Sequence, residues 1–171
     1  MSAWPGQAGR LILLLLAALG AAAQNVVISQ IYGGGGNTGA TLRNDFIELF
    51  NRGPASVDVT GWSVQYASST GDTWQVTPLT GSIAPGQYYL IQQAQGAGGS
   101  VNLPAPDTTG SIPMSATAGK VALVSDSTPL SGAAPTGARI VDLVVYSGLS
   151  NATALLRRSA GCGDGFSTGA P

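Results

Sequence analysis

Histidine is absent from the 171 residues, and cysteine occurs once, at Cys162. Without an imidazole no Ser-His-Asp or Cys-His nucleophile can be assembled, nor any histidine metal site. A single cysteine excludes an intramolecular disulfide and a cysteine-built zinc site. Charge is sparse too, with 9% of residues charged, seven basic against eight acidic. Lysine occurs once, at Lys120, and the only adjacent basic pair is Arg157-Arg158. Such a balance gives no electrostatic footprint for nucleic acid or an anionic membrane. Long apolar runs are also missing: the stretch 11–20 falls short of the ~20 residues of a membrane span.

That stretch has a different reading. Arg10 supplies a positive start, residues 11–20 an apolar centre, and Ala21-Ala22-Ala23 a small-residue cleavage site before Gln24. Together they make a helical signal peptide over residues 1–23, cut between Ala23 and Gln24. Loss of Arg10 leaves six basic residues against eight acidic, a net charge of −2. The expectation is a secreted or cell-surface-associated protein with no membrane span after removal of the signal. Residues 24–160 have the length of one domain, and the polar tail 161–171 is expected to fray.

Within 24–160, short β-rich runs alternate with turn signals such as Arg52-Gly53-Pro54, Thr60-Gly61 and Ala84-Pro85-Gly86. This is the pattern of an all-β sandwich or barrel. Strands are predicted at 26–32, 46–51, 57–59, 62–67, 87–93, 120–125, 140–146 and 154–158. The stretches 95–117 and 127–138 read as long loops on one side of the sandwich. Alternation of apolar and polar residues nominates Phe46, Leu49, Trp62, Leu90, Leu123 and Val144 for the core. Trp62→Ala is expected to cost roughly 3–5 kcal/mol.

Two nucleotide signatures are imitated and fail. Gly34-Gly35-Gly36-Asn37-Thr38-Gly39 satisfies G-x-G-x-x-G after a strand, with Asp58 19 residues beyond Gly39. The following run 40–50 can even be drawn as a helix. A dinucleotide fold, however, needs repeated strand–helix alternation, and none follows. As a P-loop the same glycines carry Ala40 where the phosphate-binding lysine belongs.

Among the carboxylates, Asp45 and Glu48 lie beside the Asn37-containing loop, and Asn37, Asp45 and Glu48 are candidate oxygen ligands for calcium. Their spacing fits no calcium loop, and residues three apart on a strand face opposite ways. No catalytic residue, cofactor site or other metal site is nominated. Asn151-Ala152-Thr153 is a glycosylation sequon.

Three ordered motifs remain: Asn44-Asp45-Phe46-Ile47-Glu48-Leu49-Phe50-Asn51, then Val57-Asp58-Val59-Thr60-Gly61-Trp62, then Ala84-Pro85-Gly86-Gln87-Tyr88-Tyr89-Leu90. With the Gly-rich loop and Met114-Ser115-Ala116-Thr117, they make the chain from Gln24 to Arg158 resemble the lamin-tail domain, in its bacterial secreted branch. The resemblance implies an immunoglobulin-like β-sandwich of lamin-tail type with no catalytic residues. It also implies a binding, adhesion or targeting module whose partner is an extracellular glycan, protein or cell-surface component. Domains of this branch often precede secreted endonuclease/exonuclease/phosphatase domains. The alternative reading is therefore the truncated N-terminal part of an extracellular nuclease. The contact surface is expected on the loops 33–41 and 96–115, with Tyr66 and Trp74 as candidate aromatic contacts for a sugar or peptide.

Overall fold

The computed structural model describes residues 25–157 and 165–171. The signal segment, the Ala23/Gln24 junction, Arg158 and Cys162 lie outside the described residues. Twelve strands are present among those described: β1 Val26–Tyr32, β2 Asn44–Asn51, β3 Val57–Asp58, β4 Ser63–Ser68, β5 Gln75–Pro78, β6 Ser82–Ile83, β7 Tyr88–Gln95, β8 Thr108–Thr109, β9 Gly119–Val124, β10 Ile140–Tyr146, β11 Ala154–Arg157 and β12 Phe166–Gly169. They form an immunoglobulin-like β-sandwich. One layer is a six-stranded sheet in the order β12-β11-β1-β2-β7-β8, and the other a four-stranded sheet in the order β10-β9-β4-β5. The pair β3-β6 stands apart. All pairings are antiparallel except β7 with β8.

Of the run 40–50 that could be drawn as a helix, residues 44–50 lie in strand β2, gripped by β1 on one side and β7 on the other. Pairing on both edges decides what local periodicity left ambiguous. Ile28, Ile31, Ile47, Leu49 and Ile91 from the larger sheet meet Val64, Tyr66, Val121, Leu123 and Val144 from the smaller in one core. Burial of this apolar surface is the main stabilising contribution, at roughly 25 cal/mol per Å² removed from water.

Leu49, Leu123 and Val144 sit in that core. Phe46 and Leu90 do not. They lie on the outer face of the larger sheet in a separate cluster with Tyr32, Ala154 and Leu156. Trp62 is half-buried and packs against the core from its margin. A period of two marks opposite faces of a strand, but when both faces are covered it does not say which face is central.

The two long loops serve different faces. Residues 112–114 send Ile112 and Met114 into the principal core. Residues 126–139 instead strap the outer face of the smaller sheet, where Leu130 joins Ala67, Trp74, Ala122 and Val124. The strap is held by side chains of the sheet below it. Ser63 Oγ donates to Asp126 O at 2.6 Å, and Gln65 Nε2 donates to Thr128 O at 3.0 Å while its Oε1 accepts from Leu130 N. Trp74 Nε1 donates to Gly132 O, and Lys120 Nζ to Ala133 O and Gly71 O. Polar residues on a buried sheet face are thereby satisfied, as burial demands.

The expected frayed tail is corrected at residues 166–169, which pair with β11 as β12. Phe166 lies under the Arg157 guanidinium at 4.6 Å. The strands missed by sequence, β5, β6, β8 and β12, are two to four residues long and rich in Ser, Thr, Gly or Pro. They owe their conformation to a neighbouring strand, which no short window of sequence displays.

Candidate recognition end of the sandwich

Three segments converge at the end of the sandwich where β1 leaves the larger sheet: residues 33–43, 94–101 and 147–153. The first is drawn tight by its own turns. Asn37 N donates to Gly34 O, Ala40 N to Asn37 O, and Gly36 N to Leu42 O. It is then laced to the second, with Gly98 N donating to Gly36 O at 2.6 Å, Gly96 N to Arg43 O, and Arg43 N to Val101 O.

The glycine run is explained by this lacing. A Cβ on Gly35 would lie 1.9 Å from the Asn44 carbonyl carbon, and one on Gly36 2.2 Å from Gly96 Cα. Gly33 to Gly36 are buried beneath the turn rather than open to a phosphate. Close backbone approach is one of the two demands that only glycine meets. Gly36 meets both, since its φ is +67°.

Asn151 fastens the third segment. Its Nδ2 donates to Thr38 O at 3.0 Å, its Oδ1 accepts from Asn37 Nδ2, and its backbone O accepts from Tyr32 Oη at 2.6 Å. The sequon asparagine is thus a structural clasp of this end. Sequence offered it only as a glycan acceptor.

Under the loops lies Asp45. One carboxylate oxygen accepts from Gly35 N and the other from Met114 N, both at 2.8 Å. Burial pushes its carboxyl up from 3.8 to about 6, and the two N–H donors offset this only in part. Beside it, Tyr66 Oη accepts from Ser115 N at 3.0 Å and Tyr146 Oη donates to Ser115 O at 2.7 Å. Burial, with Tyr66 and Asp45 close by, drives the Tyr146 phenol far above its ordinary range. Burial followed by Asp45 raises Tyr32. Asp45, Tyr66 and Tyr146 therefore anchor residues 114–115 against the glycine turn.

The calcium candidates are not brought together. Asn37 is exposed and spends its amide on Asn151. Asp45 is buried with both oxygens engaged, while Glu48 accepts from Ser29 Oγ at 2.7 Å on the outer face. Burial raises the Glu48 carboxyl, and the Ser29 bond opposes the shift. Among the described residues no three His, Cys, Asp or Glu side chains cluster as a metal site would require. Tyr66 and Trp74 are each 4% exposed, so neither offers a ring face to a ligand. Tyr66 works from within, and Trp74 carries the strap, with the Lys120 ammonium 5.5 Å from its ring centroid.

Residues 20–161 match the family model of the Lamin Tail Domain. The chain belongs to the lamin tail domain family. No curated protein matches it. The run 45–51 of this lamin tail domain serves both the core and the turns. Asp45 ties down the loops, Ile47 and Leu49 fill the core, and Asn51 is fully buried. Asn51 Nδ2 donates to Ala55 O and Ile83 O, each at 2.8 Å, while its Oδ1 accepts from Gly53 N. Asp45 and Asn51 of the motif thus hold loops and turns, while Glu48 pairs with Ser29 on the neighbouring strand. Among the described residues of this lamin tail domain, no helix is long and apolar enough to cross a membrane.

Proposed function

We infer that the chain is a secreted, non-catalytic lamin tail module that binds an extracellular ligand through the laced loop end. The observation that carries this reading is the backbone lacing of residues 33–43 to 94–101, fastened by Asn151. It holds a rim of exposed Asn37, Thr38, Thr41, Ser100, Val101 and Asn102 in one geometry before any ligand arrives. Rigid loops on a sandwich lose little entropy on binding, which is how such folds carry recognition. The rim bears amides, hydroxyls and one exposed cation, Arg43, so it suits hydrogen bonding to a neutral glycan or a polypeptide better than charge-driven capture.

Asp45, a buried carboxylate with a raised pKa, is occupied by two peptide N–H groups and turned away from solvent. General acid–base work needs such a group within reach of substrate. The purified protein should therefore hydrolyse neither nucleic acid, phosphomonoester nor glycoside with Mg²⁺, Mn²⁺ or Ca²⁺ present.

The test is a glycan-array and nucleic-acid screen of the exported product, with and without calcium, followed by Asn37→Ala and Asn102→Ala on any hit. Binding that survives both changes would place recognition elsewhere. Mass spectrometry of that product should show an N-terminus at Gln24, and an intact Met1 on a membrane-bound chain would overturn the secretion reading. Hydrolysis lost in Asp45→Asn would overturn the non-catalytic one.

A further inference from the structure

The strap 126–139 lies on the smaller sheet in the manner of a bound peptide, because side chains of the sheet layer bond to its backbone. Ser63 Oγ donates to Asp126 O, Gln65 Nε2 to Thr128 O, Trp74 Nε1 to Gly132 O and Lys120 Nζ to Ala133 O. In the other direction Leu130 N donates to Gln65 Oε1 and Gly132 N to Asp72 O, while Ser131 forms an antiparallel bridge with Thr73. Bonds to main-chain atoms supply affinity without reading sequence, and pockets supply the choice of side chain. One pocket is present. Leu130, 4% exposed, fills the space that Ala67 and Ala122 leave beside Trp74 and Val124.

The strap is also lightly anchored. Among the described residues 126–139, Leu130 alone is buried. A segment with one buried apolar side chain and an exposed backbone opens locally, well below the free energy of global unfolding. Its two ends stay together. Ser125 N donates to Arg139 O at 2.9 Å, and Arg139 Nη1 donates to Asp126 Oδ1 and Thr128 O, each at 2.8 Å. The strap therefore lifts as one loop on a closed base, with β9 and β10 still paired below it. Lifting uncovers Ser63, Gln65, Trp74 and Lys120 as a row of donors around an apolar pocket.

We propose that the strap is an intramolecular stand-in, and that this face is a second binding site, apart from the loop end, for an uncharged polypeptide segment with leucine two residues ahead of glycine. The leucine takes the Leu130 pocket. Gln65 takes its N–H and the carbonyl two residues before it, Trp74 the glycine carbonyl, and Lys120 the carbonyl after that. Glycine is specified because Gly132 has a φ of +84°. The segment is uncharged because Lys120 is already held by Gly71 O and needs only a carbonyl, and a charge buried beside Trp74 would lack a partner. A tethered strap competes at an effective concentration on the order of millimolar, so the site is autoinhibited.

Fluorescence anisotropy of a labelled peptide with the sequence of residues 127–134, acetylated and amidated at its ends, tests this on the purified protein. The acetyl carbonyl stands in for Asp126 O. Wild type should bind the peptide weakly, and Leu130→Ala, whose strap has lost its anchor, about ten-fold or more tightly. A peptide with alanine in place of its leucine should bind neither protein. Adding Gln65→Ala to the Leu130→Ala protein should weaken capture about ten-fold or more. Hydrogen exchange of the wild type needs no variant. The Leu130 and Gly132 amides should exchange faster than those of Val64 and Leu123, at rates that low urea leaves unchanged. Strap amides that exchange only together with the core amides would overturn the proposal. So would equal peptide affinity in wild type and Leu130→Ala, capture indifferent to the peptide's leucine, or a wild type that dimerises by exchanging straps instead of taking the peptide.

Discussion

Arg157 and Asp142 meet between the two sheets, Nη2 to Oδ2 at 2.5 Å, and together satisfy both backbone groups of Ile28. Asp142 accepts the Ile28 N–H at 2.9 Å, and Arg157 Nε donates to the Ile28 carbonyl at 2.7 Å. The bulge at Ser29, where the β1–β2 register slips, lies next to Ile28 in the chain. One ion pair therefore bridges β10, β1 and β11, and through Phe166 it reaches β12.

Removing one member of this pair should be severe. Asp142→Ala leaves a buried guanidinium and an unsatisfied Ile28 N–H, and should cost about 3–5 kcal/mol. Urea denaturation of wild type and variant measures it. A loss within experimental error would mean that the pair is solvated in solution.

The glycine turn offers a matched contrast. Gly35→Ala forces a Cβ into the Asn44 backbone and should cost about 3 kcal/mol or more. At Gly39 a Cβ meets open space, and only the φ of +81° resists it. Gly39→Ala should cost about 1 kcal/mol. Thermal melts of the two variants should rank in that order.

Asp45 makes stability depend on pH, with a sign that follows from its displacement. Its folded-state pKa lies above the ordinary 3.8, so the folded protein holds the proton more tightly than the unfolded chain does. The stabilisation is complete below pH 3.8 and is lost as pH rises through about 6. The displacement corresponds to about 3 kcal/mol at most. Denaturation between pH 4 and 7 should show wild-type stability falling as pH rises. Asp45→Asn should flatten the slope, leaving a residue of the same sign from Glu48. An unchanged slope in Asp45→Asn would show that this carboxyl is hydrated.

Core position, rather than side-chain size, should rank the apolar substitutions. Leu123 is fully buried between the sheets, and Leu123→Ala should cost about 3 kcal/mol or more. Trp62 is half-buried, so Trp62→Ala should cost about 2 kcal/mol, less than its size alone suggests. A tryptophan loss larger than the leucine loss, in the same denaturation series, would place the indole in the core.

Sequence by itself determined the strands that carry their own signal. Val26–Tyr32 and Ile140–Tyr146 were legible to the residue, because an alternating or continuous apolar run bounded by turn residues has few other uses. The three lamin-tail motifs likewise identified the family and fold, since their spacing spans several strands at once. Tertiary structure alone decided which face each residue serves. Phe46 and Leu49 look equivalent in sequence, yet one lies outside the larger sheet and the other in the core. It alone showed that Tyr66 and Trp74 are internal anchors, that Asn37, Asp45 and Glu48 go to separate partners, and that residues 166–169 complete a sheet. The reason is physical. Burial, hydrogen-bond partnership and the raised Asp45 pKa all arise between residues as far apart as Asp45 and Met114 or Ile28 and Arg157, and a local pattern holds no record of such distances.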